Sequence, residues 1–398
     1  MMLYLHVAIF FLSVTVFIVL ALQGLYLFIF AIAGWLVKEK KYATAKDIGS
    51  FVIYIPSYKE DSVIVETAKA ALNINYPTHK FHIVVIADSL QDTTLKALNA
   101  LPIQVVKVDF EKSTKAKALN VALQQTQLVY DYALILDADN VCDSHALYKL
   151  NNVLNANFAV VQGQRLAKNT NTSFALLDAI SEGINNHIFR KGHVALGLSA
   201  AIIGSGVALN FALFKSIMPQ ITAIGGFDKE MELQLLRKRI RFGYAQQALI
   251  YDEKITQQAH FESQRRRWLS AQLHYMQRYF LDGFVQLFKG NFDFFDKVIQ
   301  TLLLPRILII GIMPIMALLS IVIPTSLSPV YWFFLWIITY FSIFIAIPKS
   351  YFNKQLLTAI FSLPVAFLSM FKLFFKLKGA NKTFIHTPHG ETNNQKTI

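Results

Sequence analysis

The chain has 398 residues, of which 54% are hydrophobic and only 16% charged, a balance too apolar for an ordinary soluble protein. That length accommodates two or three structural units. A formal charge of +13 would suit nucleic acid on a soluble surface, but beside apolar spans it matches anionic headgroups, and the single cysteine, Cys142, excludes an internal disulfide.

From about Leu5 to Val37 there is no Lys, Arg, Asp or Glu, enough for one tilted spanning helix. No basic segment precedes it and it exceeds a signal-peptide core, so it reads as an uncleaved anchor. Lys38, Lys40, Lys41 and Lys46 follow directly. The positive-inside rule then puts the N-terminus outside and everything after Lys38 in the cytoplasm.

The middle of the chain has soluble patterning. Apolar runs of strand length occur at 51–56, 81–87, 103–109, 132–137 and 158–162, with helix-patterned stretches at 60–73, 92–100, 115–127 and 143–155 between them. Continuous apolar strands alternating with helices predict an α/β fold, a Rossmann-like mostly parallel sheet covered on both faces. Ligands bind such sheets at the carboxyl ends of the strands. Polar residues gather there: Pro56-Ser57-Tyr58 after the first strand, Asp88 after the second, Asp137 and Asp139 after the fourth. GxGxxG and Walker patterns are missing, so dinucleotide and P-loop chemistry lack support.

Asp137-Ala138-Asp139 closes the run YALILD. Strand alternation would throw both carboxylates to one side, where they suit Mg²⁺ or Mn²⁺ together with substrate phosphate oxygens; two surface acids in a loop would read the same way. Asp88 could accept hydrogen bonds from a base or ribose, or simply cap a turn. Lys115, with Asn120 in KAKALN, could pair with a diphosphate or be a solvated helix end.

Gly225-Gly226-Phe227-Asp228-Lys229-Glu230 opens a helix, and a carboxylate at a helix start stays ionised. That suits a base, and it suits capping equally. Gln264-Arg265-Arg266-Arg267-Trp268 is the most specific local signal. Arginine forks match phosphate oxygens, and Trp268 offers a face for a sugar ring; a basic patch beside a membrane is the plainer alternative.

Apolar segments return near 302–324, 329–348 and 355–375. The first two, separated by Pro324-Thr325-Ser326, predict a spanning hairpin. The third carries Pro364 and Lys372 and runs into Lys376 and Lys378, which suits a helix in the headgroup region, with the C-terminus inside. Residues 269–290 are a second candidate for surface attachment.

Together these residues resemble the family 2 glycosyltransferases, in the membrane-anchored branch related to cellulose and hyaluronan synthases and bacterial exopolysaccharide transferases. The shared pattern is Asp88, Asp137-Ala138-Asp139, an acidic site, then Gln264-x-x-Arg267-Trp268, over roughly 50–270. The usual Glu-Asp pair is absent. An ungapped count to Gln264 makes Asp228 the base; a shifted frame makes it Glu230.

The resemblance implies a GT-A type fold and an inverting transferase with a uridine-type nucleotide-sugar donor and a divalent metal. Pro56, Ser57 and Glu60 match a nucleoside-pocket segment, and Lys115 a conserved-pattern lysine on the donor side. Gln162 falls near the acceptor, and Gly204-Ser205-Gly206 matches a turn beside the acceptor sugar.

The expected organisation is an anchor at 1–40, a cytoplasmic catalytic domain at 45–270, interfacial helices at 271–298, a hairpin at 299–348, and an interfacial or spanning helix plus tail at 349–398. The expected partners are the donor, membrane lipid and a lipid-linked or glycan acceptor, with other glycan-assembly proteins as candidates and nucleic acid excluded. The expected location is a bacterial-type plasma membrane. Three spans are few for a polymer channel, favouring limited transfer over a processive synthase. A non-catalytic transport protein would carry its ionisable groups inside the spans, not in the soluble middle.

Overall fold

The computed structural model describes residues 2–323 and 327–374. The chain opens with α1 (Met2–Leu36) and then alternates through β1 (Phe51–Tyr58), α2 (Ile64–Leu72), β2 (Phe81–Asp88), α3 (Asp92–Asn99), β3 (Gln104–Val108), α4 (Lys115–Gln125) and β4 (Tyr132–Ile135). Next come β5 (Val141–Cys142), α5 (Ala146–Leu154), β6 (Val160–Ala167), α6 (Ser173–Asn185), a π-helical turn at Asn186–Gly192, α7 (His193–Ala195), β7 (Val207–Asn210), α8 (Phe211–Ile217), α9 (Phe227–Arg237) and β8 (Phe242–Asp252). Five further helices follow among the described residues: α10 (Gln258–Phe288), α11 (Phe292–Leu302), α12 (Arg306–Val322), α13 (Pro329–Ala346) and α14 (Lys354–Phe374).

The strands form one sheet in the order β3-β2-β1-β4-β7-β6-β8-β5. β1 pairs parallel with β2 and β4, β2 with β3, and β6 with β8. β7 is inserted antiparallel between β4 and β6, and β5 pairs antiparallel with β8. The mostly parallel sheet expected from the sequence is present. Its central strands are buried on both faces: Val52, Tyr54, Val84 and Ile135 pack into one core, Ile53, Ile55, Val85 and Leu134 into the other. Because strand side chains alternate, a run such as FVIYI must be apolar throughout to serve two cores.

Among the described residues, three helices are long and apolar enough to cross a membrane: His6–Leu36, Pro329–Ala346 and Lys354–Phe374. The segment expected to start the hairpin is different. α12 reaches that standard only together with α11, from which it is bent by 62°. The expected turn at Pro324-Thr325-Ser326 and the basic residues after Phe374 lie outside the described residues. α1 and α13 pack closely, since a Cβ on Gly24 would meet Thr339 Oγ1 at 2.7 Å. The 269–290 stretch is the body of α10: Ala271, Tyr275 and Tyr279 are buried, while Phe280, Leu281, Phe284 and Phe288 are exposed.

Candidate active site

β1 and β2 end side by side, with Ser57 in register with Ala87 and Tyr58 with Asp88. Each is followed by a non-glycine residue in the left-handed region, Lys59 and Ser89, both at φ 56°. The turn is closed by Lys59 N–H donating to Asp88 O at 3.1 Å. Such backbone costs on the order of 1 kcal/mol and gathers at functional sites. Pro56 closes the buried part of β1, and Ser57, Glu60 and Asp88 are buried here. Ser57 Oγ has no partner among the described residues. Burial raises the pKa of Asp88, with hydrogen bonds from Ser113 and Ser89 opposing.

The acidic pair is not aimed by strand alternation, as the sequence suggested. β4 stops at Ile135, and Asp137 to Asn140 form a turn closed by Asn140 N–H to Asp137 O at 3.0 Å. The two carboxylates therefore differ. Asp137 keeps a side chain 40% exposed and ion-pairs with Lys115. Asp139 is buried, accepting from Asn140 Nδ2 at 3.0 Å and from Glu253 N at 2.7 Å. Lys168 donates to the Asp139 carbonyl.

Asn140 escaped the sequence reading, although it directly follows the pair. Its Oδ1 accepts from Asp137 N and from the Ser205 hydroxyl, fixing the turn. An Asn there is itself a turn signal.

Gln162 and Ser205, expected at the acceptor, are fully buried. Gln162 Nε2 donates to the carbonyls of Gly163, Ser205 and Gly206, and its Oε1 accepts from Ile203 N. Both ends of the amide are spent on shaping the 203–206 turn. That turn needs glycine: Gly204 has φ +72°, and a Cβ there would lie 3.3 Å from Asp228 Cβ. The turn is thus pressed directly against Asp228.

Lys115 joins these parts. Its Nζ pairs with Asp137 and donates to Gly204 O at 2.7 Å. A cation in the first turn of α4 opposes the helix dipole, the kind of local conflict that marks function. Asn120, in contrast, donates to Met218 O and holds a loop.

Asp228 is half-buried in the first turn of α9, whose N-cap is Gly226 at φ +71° with no side-chain capping bond. Capping is therefore not its task. Burial raises its pKa and Glu232 adds to this, against Lys229, a backbone N–H and Lys115. Glu230 is buried and turned away, accepting from Arg278 Nη1 at 2.9 Å and Thr222 N at 2.9 Å.

The three consecutive arginines do not act as one group. Arg265 is committed to Asp178 and its guanidinium carbon lies 4.5 Å from the centre of the Trp268 ring. Arg267 faces the site: burial lowers its pKa, while the Asp137 and Asp228 carboxylates raise it. Gln264 Oε1 is buried without a partner among the described residues, and Trp268 is partly exposed.

Beneath the site runs a buried ionic layer that the sequence did not reveal. Glu182 takes Arg190 at 2.8 Å and Arg165 at 3.1 Å; Asp252 takes Lys254 at 2.9 Å and Arg165 at 3.2 Å. Burial raises Asp252 to about 6. Burial would also raise Glu182, but Arg165 and Arg190 prevail and hold it below the usual carboxylate range.

The donor set suits a hard divalent cation. Each oxygen of Asp139 accepts one protein hydrogen bond, which leaves each a lone pair. Among the described residues no three acidic, His or Cys side chains converge, so a cation would take one or two carboxylates and fill its shell from phosphate and water.

The sheet edge thus gathers carboxylates opposite a half-buried guanidinium, Arg267, and a half-buried lysine, Lys115. The family model described as glycosyltransferase like family 2 matches residues 49–271, and the chain belongs to that family. It is a transferase built on a mixed, mostly parallel α/β sheet. Over 115 residues it is 30% identical to a probable glycosyltransferase, YdaM, of Bacillus subtilis, covering 26% of each chain. Over 221 residues it is 24% identical to the poly-β-1,6-N-acetyl-D-glucosamine synthase of Staphylococcus aureus, covering 52% of this chain and 51% of that one. The chain thus spans about half the length of that relative. Among solved structures, a mannosyltransferase from Pyrobaculum calidifontis in complex with GDP-Man and Mn²⁺ aligns with a TM-score of 0.48 and 15% identity, over 82% of this chain and 97% of that one.

Proposed function

We propose that the chain is an inverting glycosyltransferase that moves a sugar from a uridine-type nucleotide-sugar donor to a lipid-linked or glycan acceptor at a membrane. The observation that carries this is the grouping of Asp137, Lys115, Gly204, Asp228 and Arg267 in one place, with Ser57 and Asp88 at neighbouring strand ends.

Asp228 takes the proton from the acceptor hydroxyl as its oxygen attacks the anomeric carbon. A raised pKa improves such a base near neutral pH, and general-base assistance contributes roughly 10²–10⁴-fold. The bond from the anomeric carbon to the diphosphate breaks on the opposite face, which inverts the centre. Arg267 and Lys115 stabilise charge on the departing diphosphate. Asp139 and Asp137 would hold Mg²⁺ or Mn²⁺, which supplies further positive charge against the phosphates. Ser57, Glu60 and Asp88 bind the nucleoside, and Gln264 and Trp268 border the acceptor. Glu230 is occupied by Arg278, which favours Asp228 as the base.

α1, the α11–α12 pair and α13 embed the enzyme, with the catalytic domain on the cytoplasmic side. α14 lies along the interface. The turn before α14 packs on α6, where a Cβ on Gly183 would lie 3.8 Å from Tyr351, and near the end of α14 Ser369 accepts from Gln258 at 3.2 Å.

Calorimetric titration of UDP into the purified protein with Mn²⁺ tests the donor side. Saturable binding that disappears in Asp139→Ala, with the variant still folded, is expected; metal-independent binding would contradict the assignment.

A further inference from the structure

The helix that carries Arg267 also holds the segment that carries Asp228. Arg267, Ala271, Tyr275 and Arg278 recur along α10 at a spacing that keeps them within about 80° of one another, on one face of the helix. Arg267 lies close enough to the Asp137 and Asp228 carboxylates to feel both charges. The other three residues meet the backbone and side chains of 222–230.

A Cβ on Gly226 would stand 2.9 Å from Ala271 Cβ and 2.9 Å from Tyr275 Cε2, so only glycine lets this turn, at φ +71°, rest on α10. Tyr275 is buried, and its hydroxyl donates to Gly225 O at 3.3 Å. One turn further along α10, Arg278 Nη1 donates to Glu230 Oε1 at 2.9 Å, and Glu230 Oε2 accepts from Thr222 N at 2.9 Å. Glu230 thereby ties the loop before α9 both to α9 and to α10.

The two partners are unequal. Glu230 is fully buried, whereas the Arg278 side chain is 45% exposed. Among the described residues Arg278 is the one cation in an ion pair with Glu230. A buried carboxylate stripped of its cation is strongly disfavoured, so this contact differs from an exposed surface pair. Asp228 sits between the two anchored points, Gly226 before it and Glu230 after it. Its place relative to Arg267 is therefore set by how the 222–230 segment rests on α10.

We infer that Arg278, with Tyr275, is a positioning residue for the transfer: it holds the start of α9 on the helix face that presents Arg267, and so fixes Asp228 against the leaving-group side of the site. This rests on the transferase reading given above, in which Asp228 is the base. A catalytic group misplaced by about 1 Å can lose on the order of 10²-fold in rate.

Arg278→Met tests it in the full-length protein in detergent. Amide hydrogen exchange over 221–229 should speed up. The kcat for nucleotide diphosphate release should fall about tenfold or more, while the UDP dissociation constant stays within about twofold of wild type. Adding Glu230→Gln removes the buried charge that Arg278 answers, and the amide oxygen can still accept from Thr222 N. The double variant should therefore recover most of the lost kcat and protection. A pair that only supports the fold would lower the melting temperature of Arg278→Met and leave kcat of the folded enzyme unchanged. That result would overturn the proposal, as would an equal loss of kcat and UDP affinity, or a double variant no better than the single one. Should Arg278→Met not fold, Arg278→Lys, which keeps the charge without the fork, takes its place, with a loss of about threefold in kcat expected and a wild-type kcat counting against the proposal. If the wild type itself releases no nucleotide diphosphate, the transferase reading fails separately. Exchange alone then decides the clamp, and an unchanged rate over 221–229 contradicts it.

Discussion

Two regions of this molecule are dense in charge, and they satisfy it in opposite ways. In the layer formed by α6, β6 and the end of β8, every carboxylate holds two cations: Glu182 takes Arg165 and Arg190, Asp252 takes Arg165 and Lys254, and Asp178 takes Arg265 with Lys254 at 3.9 Å. At the sheet edge Asp137 keeps a side chain 40% exposed beside Lys115, and Asp228 is half-buried and forms no ion pair among the described residues. Saturated networks rigidify a fold, whereas groups left with spare capacity can act on a ligand. Charge density alone does not locate a site; the state of its partners does.

The largest effect that would sharpen this contrast is expected at Asp228. Asp228→Asn keeps shape but removes basicity, and should cut transfer on the order of 10²-fold or more with donor affinity nearly intact. Glu230→Gln, which alters only an occupied carboxylate, should leave transfer within roughly tenfold of wild type. Because burial raises the pKa of Asp228, and a base works when deprotonated, the acid limb of kcat/KM should lie above the ordinary aspartate range. If Asp228→Asn stays active while Glu230→Gln is dead, the frame is shifted and the base is Glu230.

Glu182 should show the opposite profile. Replacing it by Gln leaves Arg165 and Arg190 underpaired in a buried layer, at a cost on the order of 3–5 kcal/mol. Its folded pKa is depressed, so this contribution is present above the ordinary glutamate value and is lost as pH falls through the lower, folded one. Chemical denaturation at neutral and strongly acid pH should show a large difference between wild type and Glu182→Gln only at the former. A variant as stable as wild type at neutral pH would remove the structural role given to this layer.

The sheet was legible because its central strands are apolar on both faces, a constraint that few other structures impose. β7 and β8 were not. β7 is four residues long, and β8 carries Gln246 and Gln247 where its pairing with β6 slips between Gly163 and Gln164. Of the candidate site, Asp137, Asp139 and Arg267 could be named as candidates from their motifs, but their environments could not be read. Arg265 and Arg267 are two residues apart on a helix, about 200° around its axis, so neighbours in sequence serve different partners. The ionic layer draws on residues from 165 to 265, each unremarkable until the fold brings them together.

A smaller test concerns α14, whose length and composition alone permit a span. With Cys142 replaced by Ala, single cysteines at positions 44 and 395 should both be shielded from an impermeant thiol reagent in intact cells. Labelling at 395 alone would show that α14 crosses the membrane.

The account stands most directly on the reaction itself. Purified protein incubated with a panel of nucleotide sugars and Mn²⁺ should release nucleotide diphosphate from a uridine-type donor, with release abolished by chelator. Equal release in excess chelator, or release from none of the donors while the folded protein is intact, would contradict it.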